Sequence, residues 1–246
     1  MRIEPDSGHA IAGRRKQTVL AMLLVNLGQA VSTDRLIDAI WTDTPPPATA
    51  REQAQNCAAA VRRTLLQAQN GHACQHGGRA KITTERHGYR LTADPETVDA
   101  VRFERIVQGC LDAPVGRDQE VVASLRAGLD LWTGTALAGL RSLELQAEAA
   151  RMEELKLLAI EELAGRELRL GHSPAMSAAN LLALTKLYPY RERLWLLHME
   201  ALRRCGRLTE ALARFREFRS ILVADHGIEP GPEIRAKERE ILRQNR

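Results

Sequence analysis

The chain has 246 residues, of which 44% are hydrophobic, 27% are charged and only 4% are aromatic. This composition belongs to a folded protein and excludes a disordered one, and the length is enough for one large domain or two ordinary ones. A core with so few aromatic rings must be built from Leu, Ala, Val and Ile. That favours helices, because Leu and Ala are good helix formers.

The net charge is +4, and residues 1–98 hold twelve Lys/Arg against nine Asp/Glu, so +3 of the excess lies there. An excess of this size permits nucleic-acid binding without requiring it, and directs attention to the N-terminal part. The four cysteines form no CxxC pair, which favours a reducing cytoplasm without disulfides. We expect no membrane span and no signal peptide, since the chain has no apolar run near ~20 residues and its first ten residues are polar.

In the first forty residues, the spacing of the apolar residues predicts two helices. Apolar residues recur at helical intervals over 14–27, and Gly28 suits the position just beyond the helix end. A brief extended piece at 30–31 precedes a second, short helix. Ser32 or Thr33 is expected to cap it, because a hydroxyl there can accept a hydrogen bond from a first-turn N–H.

A third helix and a hairpin follow. Prolines at 45–47 end the second helix and open the third, over 48–67. The buried stripe of the third helix is expected to be Ala54, Ala58, Val61 and Leu65. After a polar loop at 70–79, residues 81–92 alternate around a turn at 86–88, which predicts a β-hairpin. This order is that of a winged helix-turn-helix domain (α+β), in which the third helix enters the major groove and the hairpin reaches the adjacent backbone or minor groove.

From Val98 onward the pattern is helical almost throughout, so the chain is expected to be mainly α. The predicted helices cover 101–111, 121–132, 143–170, 175–187, 191–205, 208–224 and a last segment after Pro232. Trp195, Ala211 and Phe215 have the relative spacing of three marker positions in a tetratricopeptide repeat. Successive helix pairs with short turns therefore predict an all-α, tetratricopeptide-like domain.

Three groups of residues resemble one known family. The first covers residues 13–24 and 31–41; the second covers Gly88-Tyr89-Arg90-Leu91 with Val98-Asp99 and Phe103; the third covers residues 188–193, Gly206-Arg207 and the Asp-His-Gly-Ile-Glu-Pro-Gly-Pro-Glu run at 225–233. Together they resemble the Streptomyces antibiotic regulatory protein (SARP) family, whose members join an OmpR-type winged helix to a helical bacterial transcriptional activator domain.

The resemblance implies two domains, at 1–97 and 98–246, and a function. It implies a cytoplasmic, nucleoid-associated activator of a secondary-metabolite (antibiotic) biosynthetic gene cluster that binds direct repeats near the promoter as two protomers and recruits RNA polymerase holoenzyme. No cofactor, membrane contact or enzyme activity is implied.

The sequence departs from the family pattern in two places. Only about ten residues precede Ile11, where relatives have additional strands, so either the start codon is misplaced or the N-terminal sheet is shortened. Where relatives carry a serine-arginine-leucine-arginine run, this chain has Ala59-Ala60-Val61-Arg62. Alanine therefore replaces one arginine, at position 60, and because arginine–guanine contacts are the commonest specific readout, an altered or weak sequence preference is expected.

The candidate DNA-binding residues lie on the first three helices and the hairpin. They are Arg14, Arg15, Lys16, Ser32, Thr33, Arg51, Gln55, Asn56, Arg62, Arg63, Arg86, His87 and Arg90. Gln55 and Asn56 can bond adenine edges, whereas Arg62 and Arg63 are expected at phosphates. Cations that open the first helix oppose its dipole, which argues for phosphate contact rather than a structural purpose. The alternative for each is a solvated surface.

Several features leave alternatives open. Loop 42–47 is either a polymerase contact or a connector. His72, Cys74 and His76 with Cys57 suggest zinc, but the spacing is too tight for the usual structural sites and favours a polar loop. No phosphate-binding glycine loop or nucleophile motif is present.

In the helical part, His198 is expected to be a hydrogen-bonded core histidine, and Trp132, Trp195, Phe215 and Phe218 core anchors. Two other function classes stay open: an interaction scaffold, and a small-molecule sensor with its pocket on the helical domain.

Overall fold

The computed structural model describes residues 11–70, 80–114 and 116–244. This part of the chain is mainly helical, as predicted, with ten α-helices and one small sheet. It divides into two compact units. One contains the residues up to Gln108 together with Gly128–Lys156, and the other contains Gly109–Ala127 together with the residues from Leu157 onward. The family-based division at 97/98 was drawn from sequence likeness rather than from contacts, and it stays a prediction.

The first unit begins with three helices and a three-stranded antiparallel sheet. The elements are α1 (Arg14–Val25), β1 (Ala30–Ser32), α2 (Thr33–Ile40), α3 (Ala50–Asn70), β2 (Lys81–Glu85) and β3 (Gly88–Thr92), with the strands in the order β1-β3-β2. Val31 pairs with Tyr89, and Ile82 pairs with Leu91. These side chains are buried, so the alternation read from the sequence correctly marks the inner face of the sheet.

Local sequence explains how these elements end. Ser32 caps α2, and its hydroxyl accepts a hydrogen bond from the N–H of Arg35 at 3.2 Å, as predicted. Gly28 has a left-handed φ of 77°, and its N–H bonds the carbonyl of Leu91 at 2.8 Å. At Gly88, an added Cβ would lie 2.0 Å from the carbonyl oxygen of Val31. Only glycine therefore permits β3 to approach β1 this closely.

The inner faces of the three helices and the sheet form one core. The predicted stripe of α3, Ala54, Ala58, Val61 and Leu65, is buried, which confirms that prediction. Its last three members, Ala58, Val61 and Leu65, pack in a cluster with Leu23 of α1 and Leu36 of α2, and Leu145 from the start of α6 (Leu143–Arg169) joins the same cluster. The small alanines of α3 place its backbone close to its neighbours, and the opposite side of the helix is left outside the core.

A partly open pocket lies beside α4 (Asp99–Leu111), which follows the short 3₁₀ turn Pro95–Thr97. The ring of Trp132 lies at its wall, edge-on to Phe103 with 5.4 Å between centroids, and the ammonium of Lys156 lies 4.5 Å from the Trp132 ring centroid. Trp132 is only half-buried. The expectation that it anchors a core is wrong, because it follows the end of α5 (Asp118–Leu129) instead of lying on a packed helix face.

The second unit is helical throughout its described residues. Besides α5 and the second half of α6, it holds α7 (Pro174–Leu187), α8 (Glu192–Arg204), α9 (Leu208–His226) and α10 (Pro232–Gln244). Trp195 and Phe218 stack at 5.4 Å in its core, and Phe215 is also buried, so these three predicted anchors are confirmed. The Trp195 indole donates to the carbonyl of Pro189 at 2.9 Å, which satisfies the ring's one polar group.

His198 is buried in this core, as predicted, but it is not satisfied. Its Nδ1 has no hydrogen-bond partner, which corrects the expectation of a hydrogen-bonded core histidine. A buried polar atom without a partner is uncommon in native proteins.

Candidate nucleic-acid interface

The side of α3 opposite its buried stripe forms an exposed surface. We call Glu52, Gln55, Asn56, Ala59 and Arg63 the outer face of α3; all five are exposed. They follow the three- and four-residue steps of a single helix side. Within the described residues, the side chains of Gln55, Asn56 and Arg63 make no hydrogen bond or ion pair. Their donors and acceptors are therefore available to a ligand.

Arg62 is placed differently from Arg63. It is half-buried, and its Nη2 donates to the hydroxyl of Thr84 on β2 at 2.9 Å. Its Nε is buried and has no partner. The two arginines were expected to act alike at phosphates, but Arg62 connects α3 to the hairpin, and only Arg63 lies on the outer face.

The three cations at the start of α1 are all exposed, yet they also differ. Arg14 and Lys16 make no ion pair within the described part of the chain. Arg15 donates to the Gln53 side chain on α3 at 2.6 Å, and its guanidinium lies 5.0 Å from the centroid of the Trp41 ring. A cation here was expected to have little structural purpose. For Arg15 that is wrong, since it bridges α1 to α3 and covers an aromatic ring.

The N-terminus of α2 lies against the hairpin turn. Thr33 is buried, and its N–H bonds the carbonyl of His87 at 2.9 Å. Its side chain is thus not exposed to a ligand, unlike the other candidates at the hairpin turn. Ser32 is half-buried and used as the cap. Arg51 is exposed and pairs with Asp34 at 2.6 Å, across the start of α3 and α2.

The hairpin presents its turn outward. Arg86 and His87 are exposed there, and Arg86 has no ion pair among the described residues. Arg90 is half-buried: its Nε donates to Glu85 at 2.9 Å and its Nη1 to the carbonyl of Gly28 at 3.2 Å. Arg90 therefore stabilises the position of β3, whereas the exposed side chains of Arg86 and His87 can contact a ligand.

Two further features bear on the surface of this unit. Leu66, 49% exposed, extends the outer face of α3 by one turn; sequence reasoning missed it, although it lies three residues beyond Arg63 and off the buried stripe. Arg35 donates to Glu144 at 2.6 Å, and Asn26 donates to the same carboxylate at 3.0 Å. That contact holds α2 in place, and nothing in the local pattern could have predicted partners so distant along the chain.

The remaining candidate features give weaker support for a binding site. Residues 42–47 are exposed, and Asp43 pairs with Arg141 at 2.9 Å. No group of three potential metal ligands occurs in the described part of the chain. His72, Cys74 and His76 lie outside it. Cys57 is half-buried, and burial raises the pKa of its thiol. Among the helices that the structure describes, none is long and apolar enough to cross a membrane.

Comparison with known proteins gives the class. Residues 98–242 match the family described as bacterial transcriptional activator domain. The chain is 34% identical to Regulatory protein DnrI of Streptomyces peucetius, over 94% of this chain and 84% of that protein. It is 36% identical to Transcriptional regulator RedD of Streptomyces coelicolor, over 97% of this chain and 67% of that protein.

A solved structure extends the likeness to the fold. Mycobacterium tuberculosis EmbR in complex with a low affinity phosphopeptide superposes with a TM-score of 0.84 at 34% identity, over 96% of this chain but only 61% of that one. These matches define a transcriptional regulator with a bacterial transcriptional activator domain. The chain belongs to the SARP family, as its own motifs predicted.

Proposed function

We propose that the first unit contains an OmpR-type winged helix that binds duplex DNA with the outer face of α3 in the major groove. The observation that carries this proposal is the state of that face: its Gln, Asn and Arg side chains are exposed and have no partners within the described residues. The helix–strand–helix–helix–hairpin order supports it, because that order is the one in which the third helix serves for recognition.

Each available side chain suits a particular contact. The amides of Gln55 and Asn56 can pair with adenine edges, and the methyl group of Ala59 can contact a thymine methyl. Arg63 can reach a phosphate or a guanine. Arg14 and Lys16 on α1, with Arg86 on the hairpin turn, supply cations for the phosphate backbone. The remaining arginines have a structural role: contacts of Arg15, Arg62 and Arg90 hold the helices and the hairpin in position relative to one another.

The regulatory role follows from family membership. We propose that the chain activates a secondary-metabolite biosynthetic gene cluster, binding direct repeats near the promoter as two protomers and recruiting RNA polymerase, in the cytoplasm. The helical residues from 98 onward would form a tetratricopeptide-like domain that supplies the protein contacts. The names of the similar regulators, Regulatory protein DnrI and Transcriptional regulator RedD, support regulation of transcription.

Footprinting on genomic DNA with the purified chain would find the binding site, and fluorescence anisotropy on that site would then test the interface. Arg63→Gln should weaken binding about tenfold, the loss typical of one specific contact, and should flatten the salt dependence by about one phosphate contact. Arg239→Gln is the matched control, since Arg239 is exposed on α10 and has no ion pair within the described residues. Equal affinity and salt slope for the two variants would refute the proposal.

A further inference from the structure

A second concave site lies within the helical unit, among α7, α8 and α9. It is a pocket of about 260 Å³. Its lining includes the apolar side chains of Ala179 and Leu182 of α7 and Leu202 of α8, and the charged side chains of Arg207, Glu210 and Arg214 of the α8–α9 turn and α9. His198 of α8 also lines it. A pocket that combines apolar side chains with a few polar groups has the general character of a small-molecule site.

His198 is the first indication of a ligand. The residue is 3% exposed, and its buried Nδ1 has no hydrogen-bond partner. Burial first, and then the nearby guanidinium groups of Arg214 and Arg207, lower its pKa to about 4, against a smaller opposing effect of Glu217 and Glu210. The ring is therefore neutral at physiological pH. A neutral imidazole has one donor and one acceptor nitrogen, and its buried Nδ1 is left without a partner among the described residues.

Charge at the rim indicates the sign of the ligand. Arg207 makes a bidentate pair with Glu210, at 2.7 and 2.6 Å. Arg214 pairs with Glu217 at 2.6 Å, but Glu217 is shared with Lys186 of α7. The pocket lining itself therefore carries two cations, Arg207 and Arg214, and one carboxylate, Glu210, which leaves an excess of positive charge. Ala175, in the first turn of α7, also lines the pocket, and the positive end of the helix dipole adds to that excess.

We propose that this pocket binds a small amphipathic carboxylate. Its apolar tail would lie on Ala179, Leu182 and Leu202, and its carboxylate would face Arg214 and Arg207, beside the His198 ring that lines the pocket. A guanidinium has five N–H donors, so Arg214 can keep Glu217 and still bind a second carboxylate. The proposal does not depend on DNA binding by the other unit.

Titration of the full chain with hexanoate tests it. The readouts are the imidazole proton NMR signal of His198, assigned by its loss in His198→Gln, and calorimetry. Hexanoate should shift that signal saturably with a Kd of about 1 mM, as expected for so small a ligand. 1-Hexanol and hexylamine, which share the tail without the negative charge, should bind at least tenfold more weakly.

Variants locate the binding. Arg214→Gln should weaken hexanoate about tenfold, whereas Arg216→Gln, an exposed arginine on the same helix and outside the pocket, should not. Ala179→Phe should abolish binding by filling the pocket, and because Ala179 is exposed, this variant keeps its fold if Arg214→Gln does not. The proposal is overturned by the absence of a saturable His198 shift, by equal binding of the three probes, or by wild-type affinity in Ala179→Phe.

Discussion

Three well-shielded arginines of the helical unit and three exposed cations of α1 and α3 are placed differently. In the helical unit, Arg166, Arg191 and Arg203 each face a carboxylate within 3 Å. On α1 and α3, the exposed Arg14, Lys16 and Arg63 face none among the described residues. The three paired arginines hold helices together, whereas the three cations of α1 and α3 lie on or beside the proposed interface, where an external polyanion can reach them. The positions of the cations that lack partners among the described residues therefore indicate a binding surface better than the small net charge of the chain does.

The largest expected effect concerns a paired arginine. Arg166, whose side chain is 8% exposed, bonds Asp118 at 2.8 Å and Glu162 at 2.5 Å. Arg166→Ala should lower the free energy of unfolding by about 2–3 kcal/mol, because it removes charge-assisted hydrogen bonds to two carboxylates while Arg169 still bonds Asp118. The measurement is urea denaturation. Arg126→Ala, which removes a 57% exposed side chain from a pair with Glu167, should cost about 1 kcal/mol or less; equal losses would contradict the distinction.

The second prediction concerns pH. The pKa of His198 is about 4 in the folded chain, against about 6.5 when unfolded. Between these values the unfolded state binds more protons, so stability is present above pH 6.5 and is lost as the pH falls toward 4. Unfolding in urea should cost about 2 kcal/mol less at pH 5 than at pH 7. In His198→Gln this part of the pH dependence should vanish, and an unchanged difference would show that His198 is not the group responsible.

Glu200 titrates in a separate, more acidic window. Burial raises the pKa of its carboxyl, but hydrogen bonds from Arg203, Arg204 and Lys237 outweigh burial and lower the pKa to about 2. Its contribution to stability is therefore lost only as the pH falls below about 4.5, and measurements at pH 5 and above isolate His198.

The third prediction separates the adjacent arginines of α3. Arg63→Ala should reduce DNA affinity about tenfold with an unchanged denaturation midpoint, since its side chain is exposed and has no partner among the described residues. Arg62→Ala should lower stability by about 1 kcal/mol, because it removes the hydrogen bond to Thr84. The double variant should lose promoter retention and stay folded. Wild-type retention in the double variant would remove α3 from the interface.

The smallest expected effect is a gain. Ala60→Arg should tighten DNA binding about fivefold to tenfold, the lower part of the range for a new arginine contact. Ala60 is half-buried while Ala59 is exposed, so Ala59→Arg is the natural comparison. Anisotropy on the footprinted site measures both. If only Ala59→Arg gains affinity, position 60 does not face the groove.

Local sequence patterns predicted most of the element order and the buried sides of the helices. The stripe of α3 and the Ser32 cap depend on residues within a few turns, and both are as expected. The ends of the helices were predicted less accurately than their buried sides. Helix α3 continues to Asn70 instead of ending near 67, since no proline or glycine interrupts it before residue 71. Periodicity shows which side of a helix is apolar but not where the last turn unwinds.

Partners distant along the chain could not be predicted. Thr33 is buried because the carbonyl of His87, on the hairpin turn, bonds its N–H. Arg15 has a structural contact because Gln53 lies opposite it on another helix. A polar residue looks the same in the sequence whether it binds DNA or a neighbouring helix. Only the packed structure separates Arg62 from Arg63, or shows that a buried histidine lacks a hydrogen bond.

The most direct test of the account is site-specific photocrosslinking from α3. A photoreactive phenylalanine analogue introduced at Ala59, with the chain bound to its footprinted duplex, should crosslink to DNA bases. The same analogue at Ala183, exposed on α7, should not. Saturated binding without any crosslink from position 59 would show that the outer face of α3 does not enter the groove.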